Sequence, residues 1–323
     1  MRIAVSVLLC VLFVPSYSGA VRLDLPGDNR LLAKPVDLVP GQPARRQVGQ
    51  LLYLGGIRLI ERGTGTGGYS AIRVRGDRIT LLNDGGNILD FRWRGGVALS
   101  EIRYSSLPAG PGSGWQKQDR DSESLAVDLA TGRIWVGFER TNEIWQYDAR
   151  FKRATARAAP SAMARWRENG GAESLVRMPD GGLVALSEGT RPRRGSRGRR
   201  AVYFADPSRG FDRGFAFTYY PPAGMQPTDA AVLPDGRLLV LNRAFELPLA
   251  FSNALSVVDR GAIRSGASVR GRVIARLAPP TLHDNFEGLA VTQEHGRTII
   301  WLVSDDNQFA LQQSLLLKFA LIK

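Results

Sequence analysis

One block recurs five times along this chain and limits the fold more than any other feature. It consists of an acidic or small residue, a short apolar run, a turn, and a second apolar run ending in a polar residue. The first copy runs from Tyr69-Ser70-Ala71-Ile72 to Asn83-Asp84, the second from Glu123-Ser124-Leu125-Ala126 to Phe138-Glu139. The third runs from Glu173-Ser174-Leu175-Val176 to Ser187-Glu188, and the fourth from Asp229-Ala230-Ala231-Val232 to Asn242-Arg243. The last runs from Glu287-Gly288-Leu289-Ala290 to Ser304-Asp305, and the copies start about 50 to 58 residues apart. Self-similarity at that period marks a repeat architecture. A single unit is too small to bury its own apolar face, so the units must stack.

Turn chemistry divides each block into two strands. Gly76-Asp77, Thr131-Gly132, Asp180-Gly181, Asp235-Gly236 and His295-Gly296 sit midway through the copies. Gly-containing pairs between short apolar runs are hairpin signals. Pro179 and Pro234 precede two of them, where a fixed φ favours turn formation. Strand-like runs follow at 144–148, 201–205, 254–258 and 314–319, and a further set at 214–218 and 272–276. Four strands per unit make one propeller blade. The expected fold is an all-β propeller over residues 48–323, with five blades and six as the alternative count. The last blade ends after three strands, and residues 50–60 are expected to supply its fourth, closing the ring and hiding a sheet edge.

Ahead of the repeats, Arg2, the apolar run 3–14 and Ser18-Gly19-Ala20 form a secretory signal pattern, with Val21 as the expected mature start. Residues 21–47 are rich in proline and read as an extended leader. Cys10, the only cysteine, would leave with the signal, excluding disulfides, thiolate chemistry and cysteine metal sites. A periplasmic or secreted location is expected. No later stretch reaches the roughly 18 apolar residues of a membrane span.

Net charge is +13, and the densest basic run is 191–200. Such a run suits an anionic ligand or a solvated loop. No aromatic residue interleaves it, so no nucleic-acid partner is expected.

In a hairpin the start of the first strand lies beside the end of the second. Glu123 should therefore meet Glu139, Glu173 should meet Glu188, and Glu287 should meet Asp305. In the other copies Ser70 meets Asp84, and Asp229 meets Asn242 and Arg243. The first strand of a blade is innermost, so the pairs converge on one mouth of the central channel. So many like charges need compensation by a guanidinium or a cation. Arg140, Arg191 and Arg243 follow the second strands, and calcium accepts six to eight oxygen ligands. The candidate ligands are Glu123, Glu139, Glu173, Asp229, Glu287 and Asp305. An equally open alternative is that the acids bind backbone amides of neighbouring blades. Zinc is disfavoured because only His283 and His295 are present as histidines. His283 lies close to Glu287 in sequence. The tryptophans are expected in the core. No G-x-S-x-G elbow, Walker loop, dinucleotide fingerprint or H-E-x-x-H helix occurs.

The segments Asp121-Ser122-Glu123-Ser124-Leu125, Gly171-Ala172-Glu173-Ser174-Leu175, Gln226-Pro227-Thr228-Asp229-Ala230 and Asn285-Phe286-Glu287-Gly288-Leu289-Ala290, with Ser304-Asp305-Asp306-Asn307, carry a resemblance. They resemble the phytase-like, "esterase-like activity of phytase" family of exported bacterial proteins, over roughly 48–323. The resemblance implies a propeller with phosphoester or ester hydrolase activity, named by similarity to calcium-dependent propeller phytases. This chain departs from the pattern at Ser70, which replaces the acid, and at Ala230, which replaces Gly.

The resulting expectation is a monomeric, Ca²⁺-assisted hydrolase acting on a small anionic or ester substrate. Glu287, Asp305, Glu173 and Glu188 are its candidate catalytic groups, and Arg140, Arg191, Arg243 and His283 are its candidate substrate contacts. The alternative is a non-enzymatic binding propeller.

Overall fold

Five sheets, antiparallel but for one added parallel strand, stand in a ring, and no α-helix occurs among the described residues. The computed structural model describes residues 30–63, 66–114, 117–246, 250–307 and 312–322. The signal pattern, Cys10 and Val21 lie outside these. Three strands precede the first blade: β1 (Arg30–Pro35), β2 (Gln47–Val48) and β3 (Leu51–Arg62). Blade one contains β4 (Tyr69–Arg75), β5 (Arg78–Asn83), β6 (Asn87–Trp93) and β7 (Leu99–Ser106). Blade two contains β8 (Ser122–Val127), β9 (Ile134–Phe138), β10 (Glu143–Tyr147) and β11 (Ala154–Ala158). Blade three contains β12 (Ala172–Arg177), β13 (Leu183–Ser187), β14 (Arg199–Phe204) and β15 (Gly214–Tyr220). Blade four contains β16 (Gln226–Val232), β17 (Leu238–Glu246) and β18 (Ala250–Val258). After β18, β19 (Ser268–Arg270) crosses to pair in parallel with β15, and β20 (Arg272–Leu277) completes blade four. Blade five contains β21 (Phe286–Glu294), β22 (Arg297–Ser304) and β23 (Ser314–Leu321).

The fourth strand of blade five is β3, which pairs with β23 from Leu59 opposite Ser314 to Leu51 opposite Leu321. The ring therefore closes as the sequence predicts, with five blades and not six. The segment read as an extended leader differs in part. Arg30–Pro35 pairs with β3 from Arg62 to Ile57 and becomes the outermost strand of blade five. It covers backbone donors and acceptors of β3 that would otherwise form an open edge.

Burial falls from the axis outward. Second strands are covered on both faces, and β9, β13 and most of β22 are buried throughout. That is why they read as continuous apolar runs. Outer strands β7 and β11 are largely exposed and polar. One apolar cluster fills each junction between blades. Leu239, Leu241 and Leu255 of blade four meet Leu289 and Leu302 of blade five. Trp93 of blade one meets Trp301 of blade five edge-on, with centroids 5.9 Å apart. Each such fully buried side chain contributes roughly 1.5–3 kcal/mol, so the junctions hold the ring together. Glycines complete the hairpins at the lower face, where Gly181 and Gly236 adopt φ of 87° and 84°. Other residues pay a steric penalty there.

The inner strands form the channel wall. β4 packs beside β8, β8 beside β12, β12 beside β16, β16 beside β21, and β21 beside β4.

Candidate functional site

Every inner strand begins with the same irregularity. The ladder to the second strand skips one residue, at Ser70, Glu123, Glu173, Thr228 and Glu287 in successive blades. A bulge leaves its extra residue unpaired and re-aims its side chain. Three of the five bulge residues are glutamates that line one mouth of the channel. Just past the second strands stand Asp84, Glu139, Glu188 and Asp305, and Arg243 stands at the matching place within the longer β17. The N–H groups of Asp84, Glu139 and Asp305 donate to the carbonyls of Gly68, Asp121 and Asn285 at 3.0, 2.9 and 2.9 Å. In blade four, Arg243 pairs with Gln226 and so occupies the place that an acid holds in the other blades.

The mouth is a recess of about 190 Å³. Asp84, Glu123, Glu139, Glu173, Glu188, Glu287 and Asp305 line it, together with Asn307 and a single guanidinium, that of Arg243. Arg243 donates to Glu188 at 2.8 Å and also to Glu287 and Asn285. Burial opposes its charge, but Glu287, Glu188 and Glu173 hold it firmly protonated. One cation cannot balance seven carboxylates. Burial pushes Glu123 well above the usual carboxylate range, and Glu287, Asp121 and Glu139 add repulsion. Burial raises Glu173 likewise, with repulsion from Glu188, Glu123 and Glu139. Asp305 is raised by burial and by Glu287. Glu139 is raised by burial, partly offset by its hydrogen bond with Glu173. Burial also raises Glu287, although Arg243 pulls it down. Burial and mutual repulsion thus favour the protonated forms of these groups, and an added cation would favour the ionised ones.

The structure brings together seven of the eight acids predicted to converge; Asp229 is the exception. Thr228, not Asp229, is the bulge residue of blade four, so the register there is one residue earlier than the sequence block suggests. Asp229 is buried and accepts the N–H groups of Ala230 and Leu289, both at 2.7 Å. It ties blade four to blade five and does not line the recess.

Three predicted substrate contacts also lie elsewhere. Arg140 donates to Asp121 at 3.0 Å. Arg191 is exposed on the loop between β13 and β14. His283 keeps its Nδ1 2.7 Å from the carbonyl of Thr281. None of the three lines the recess.

The alternative role for the acids, tying blades together, falls mainly to hydroxyls. Ser70 donates to the carbonyl of Ser122 at 2.6 Å, Ser124 to Ala172 at 2.6 Å, and Thr228 to Phe286 at 3.2 Å. Among the mouth acids, Glu139 does accept a backbone N–H from the next blade, that of Gly170.

Asp121 was not singled out by the sequence. Oxygens of Asp121, Glu123 and Glu139 lie within 4.8 Å of one another. Calcium holds its ligands at about 2.3–2.6 Å, so oxygens on opposite sides of one ion lie up to about 5 Å apart. The donor set fits a hard cation, being all oxygen with no nitrogen or sulfur. The signal for Asp121 was available: it stands two residues before a bulge glutamate, beside the residue that ends the second strand.

The bulged acids of blades two, three and five, with the acids facing them, all fall between residues 123 and 305. A family model for phytase-like proteins, described as esterase-like activity of phytase, matches residues 64–308. The chain belongs to this family. No curated protein matches the sequence. Among solved structures, the phytase-like chain is similar to the endo-arabinase of Bacteroides thetaiotaomicron, at 14% identity and a TM-score of 0.53, over 80% of this chain and 95% of the arabinase. A luciferin-regenerating enzyme matches at 13% identity and a TM-score of 0.46, over 90% of this chain and 98% of its own. A family AA12 carbohydrate-active enzyme of Trichoderma reesei matches at 10% identity and 0.43, over 93% and 99%. At such identities the likeness concerns the propeller fold alone.

Proposed function

We propose that this phytase-like propeller is a Ca²⁺-assisted hydrolase of small phosphoesters or carboxylic esters, working at the acid-lined mouth. The observation that carries the proposal is the imbalance there: seven carboxylates face one guanidinium in a recess of about 190 Å³. Asp121, Glu123 and Glu139 would hold the ion, whose bound form supplies Lewis acidity toward a phosphoryl or acyl oxygen. Arg243 keeps Glu188 and Glu287 oriented through its two arms. Glu173 and Asp305, raised by burial and by neighbouring acids, are suited to carrying a proton. Hydrolysis of p-nitrophenyl phosphate and p-nitrophenyl acetate, with calcium and with EDTA, tests this. Calcium-dependent turnover of either ester is expected, and none with chelator.

A second reading is a non-enzymatic binding propeller. It is favoured by the way the mouth partly satisfies itself, Arg243 on Glu188 and Glu287, and Glu139 on the Gly170 amide. Calcium binding without turnover of either ester would select it. Export belongs to the same proposal and rests on the signal pattern before Val21; the mass of the mature protein from the periplasm checks it.

A further inference from the structure

The channel has a second mouth of opposite character. Each inner strand continues from its bulge into apolar residues and reaches the lower face near its end. Ile72, Leu125, Val127, Leu175, Leu289 and Val291 line a recess of about 420 Å³ there. That volume falls in the range of small-molecule sites, roughly 300–1,000 Å³. No carboxylate of the upper mouth contributes to it.

The lip of this recess is basic. Arg73, Arg75 and Arg177 line it, against one acid, Asp128. Arg177 already donates to Asp128 at 3.2 Å. Arg73 donates to the carbonyl of Ala149 at 3.1 Å, but its buried Nε makes no hydrogen bond among the described residues. A desolvated guanidinium with an unused donor favours an anionic acceptor. Arg75 is exposed beside it. At the same lip, Leu129 is 94% exposed. Its turn is fixed, because Asp128 accepts the N–H groups of Ala130 and Thr131 at 2.9 and 3.1 Å. Leu129 thus adds an apolar side chain to the rim of the recess.

We propose that the lower mouth is a second ligand site, for a free alkyl carboxylate, with the chain in the apolar recess and the head group at Arg73 and Arg75. Charge complementarity selects this occupant over an uncharged one. The site is separate from the acid-lined mouth and does not depend on calcium.

The test is fluorescence titration of the intact protein with cis-parinaric acid, followed by displacement with decanoate and with decanol. Decanoate should displace the probe about tenfold better than decanol, whose chain is the same but whose head is uncharged. Arg75→Glu should weaken decanoate about tenfold and leave decanol unchanged. Leu129→Ser should weaken both. Both residues are exposed, so these variants should fold as the parent does. Arg73→Gln should repeat the Arg75→Glu result, with melting curves checking its fold. EDTA and Glu287→Gln should have no effect on probe binding, whether or not the upper mouth proves to be a hydrolase. The proposal is overturned by absence of displaceable binding, by equal displacement with decanol, or by an Arg75→Glu protein that still prefers decanoate. Loss of probe binding in Glu287→Gln would also overturn it, by placing the probe at the other mouth.

Discussion

Arg243 of blade four donates to Glu188 of blade three at 2.8 Å, and its other arm bonds Glu287 of blade five. A single side chain therefore links three blades across the mouth, and among the described residues it provides the only positive charge lining that recess. Replacing it by Gln should destabilise the metal-free protein by about 3 kcal/mol at pH 7, the usual cost of stranding buried carboxylates. The loss should be smaller at pH 5 than at pH 7, because burial raises Glu287 and favours its protonated form, and smaller on adding calcium. Melting curves of Arg243→Gln in EDTA and in calcium, at both pH values, check this. An equal loss under all conditions would assign Arg243 a purely packing role.

Glu287 and Asp229 are both buried acids of inner strands, yet their surroundings assign them different work. Asp229→Ala leaves the N–H groups of Ala230 and Leu289 without acceptors and should cost about 3 kcal/mol. Its calcium response should persist. Glu287→Gln should keep most of the stability but lose calcium response or turnover. A calcium titration followed by melting temperature separates the two, and a Glu287→Gln protein with full response would remove this glutamate from the site.

Calcium binding should release protons. Glu123, Glu173 and Asp305 are held above the usual carboxylate range by burial first and by neighbouring acids second. A cation favours their ionised forms, so affinity should strengthen as pH rises from 5 to 8. Calorimetry in buffers of different ionisation enthalpy counts the protons; a heat independent of buffer contradicts the argument.

Glu61 gives the ring closure its own pH dependence. It lies on β3 and accepts from Tyr69 at 2.7 Å and Tyr104 at 3.3 Å, both in blade one. Burial pushes it up to about 7, against the lowering effect of those two phenols. An acid raised in the folded state contributes stability that is fully present below about pH 4.5 and lost as pH rises through about 7. Glu61→Gln, fixed in a neutral form, should flatten the decline in stability between pH 5 and 8 by up to about 3 kcal/mol. Urea unfolding at several pH values measures it.

The hairpins and the ring were legible because they rest on local rules. Asp180-Gly181 and Asp235-Gly236 announce turns by φ alone, and the covered second strands show as apolar runs. Even closure by residues 50–60 followed from a blade left one strand short. What escaped were features settled by contacts between distant segments. A bulge adds one residue without any fixed residue type, so Thr228 and Asp229 were interchangeable in sequence while only Thr228 is bulged. The role of Arg243 as blade four's counterpart of the acids depends on that same register. Arg30–Pro35 carries little strand pattern, because its partner β3 and not its own composition holds it in the sheet. The convergence of acids was legible in kind, and its exact membership was not.

Strand β3 also has a consequence for how the ring can open. Blade five is assembled from chain segments at opposite ends of the repeat region, with β3 held between β1 and β23. Until this three-way pairing forms, blade five is one strand short, and Tyr69 of blade one lacks its acceptor Glu61. Opening should therefore proceed as the parting of one seam, not as the peeling of any blade at random. Because contacts so distant in sequence form slowly, the seam is also the step that sets how long a nearly complete ring stays exposed during folding.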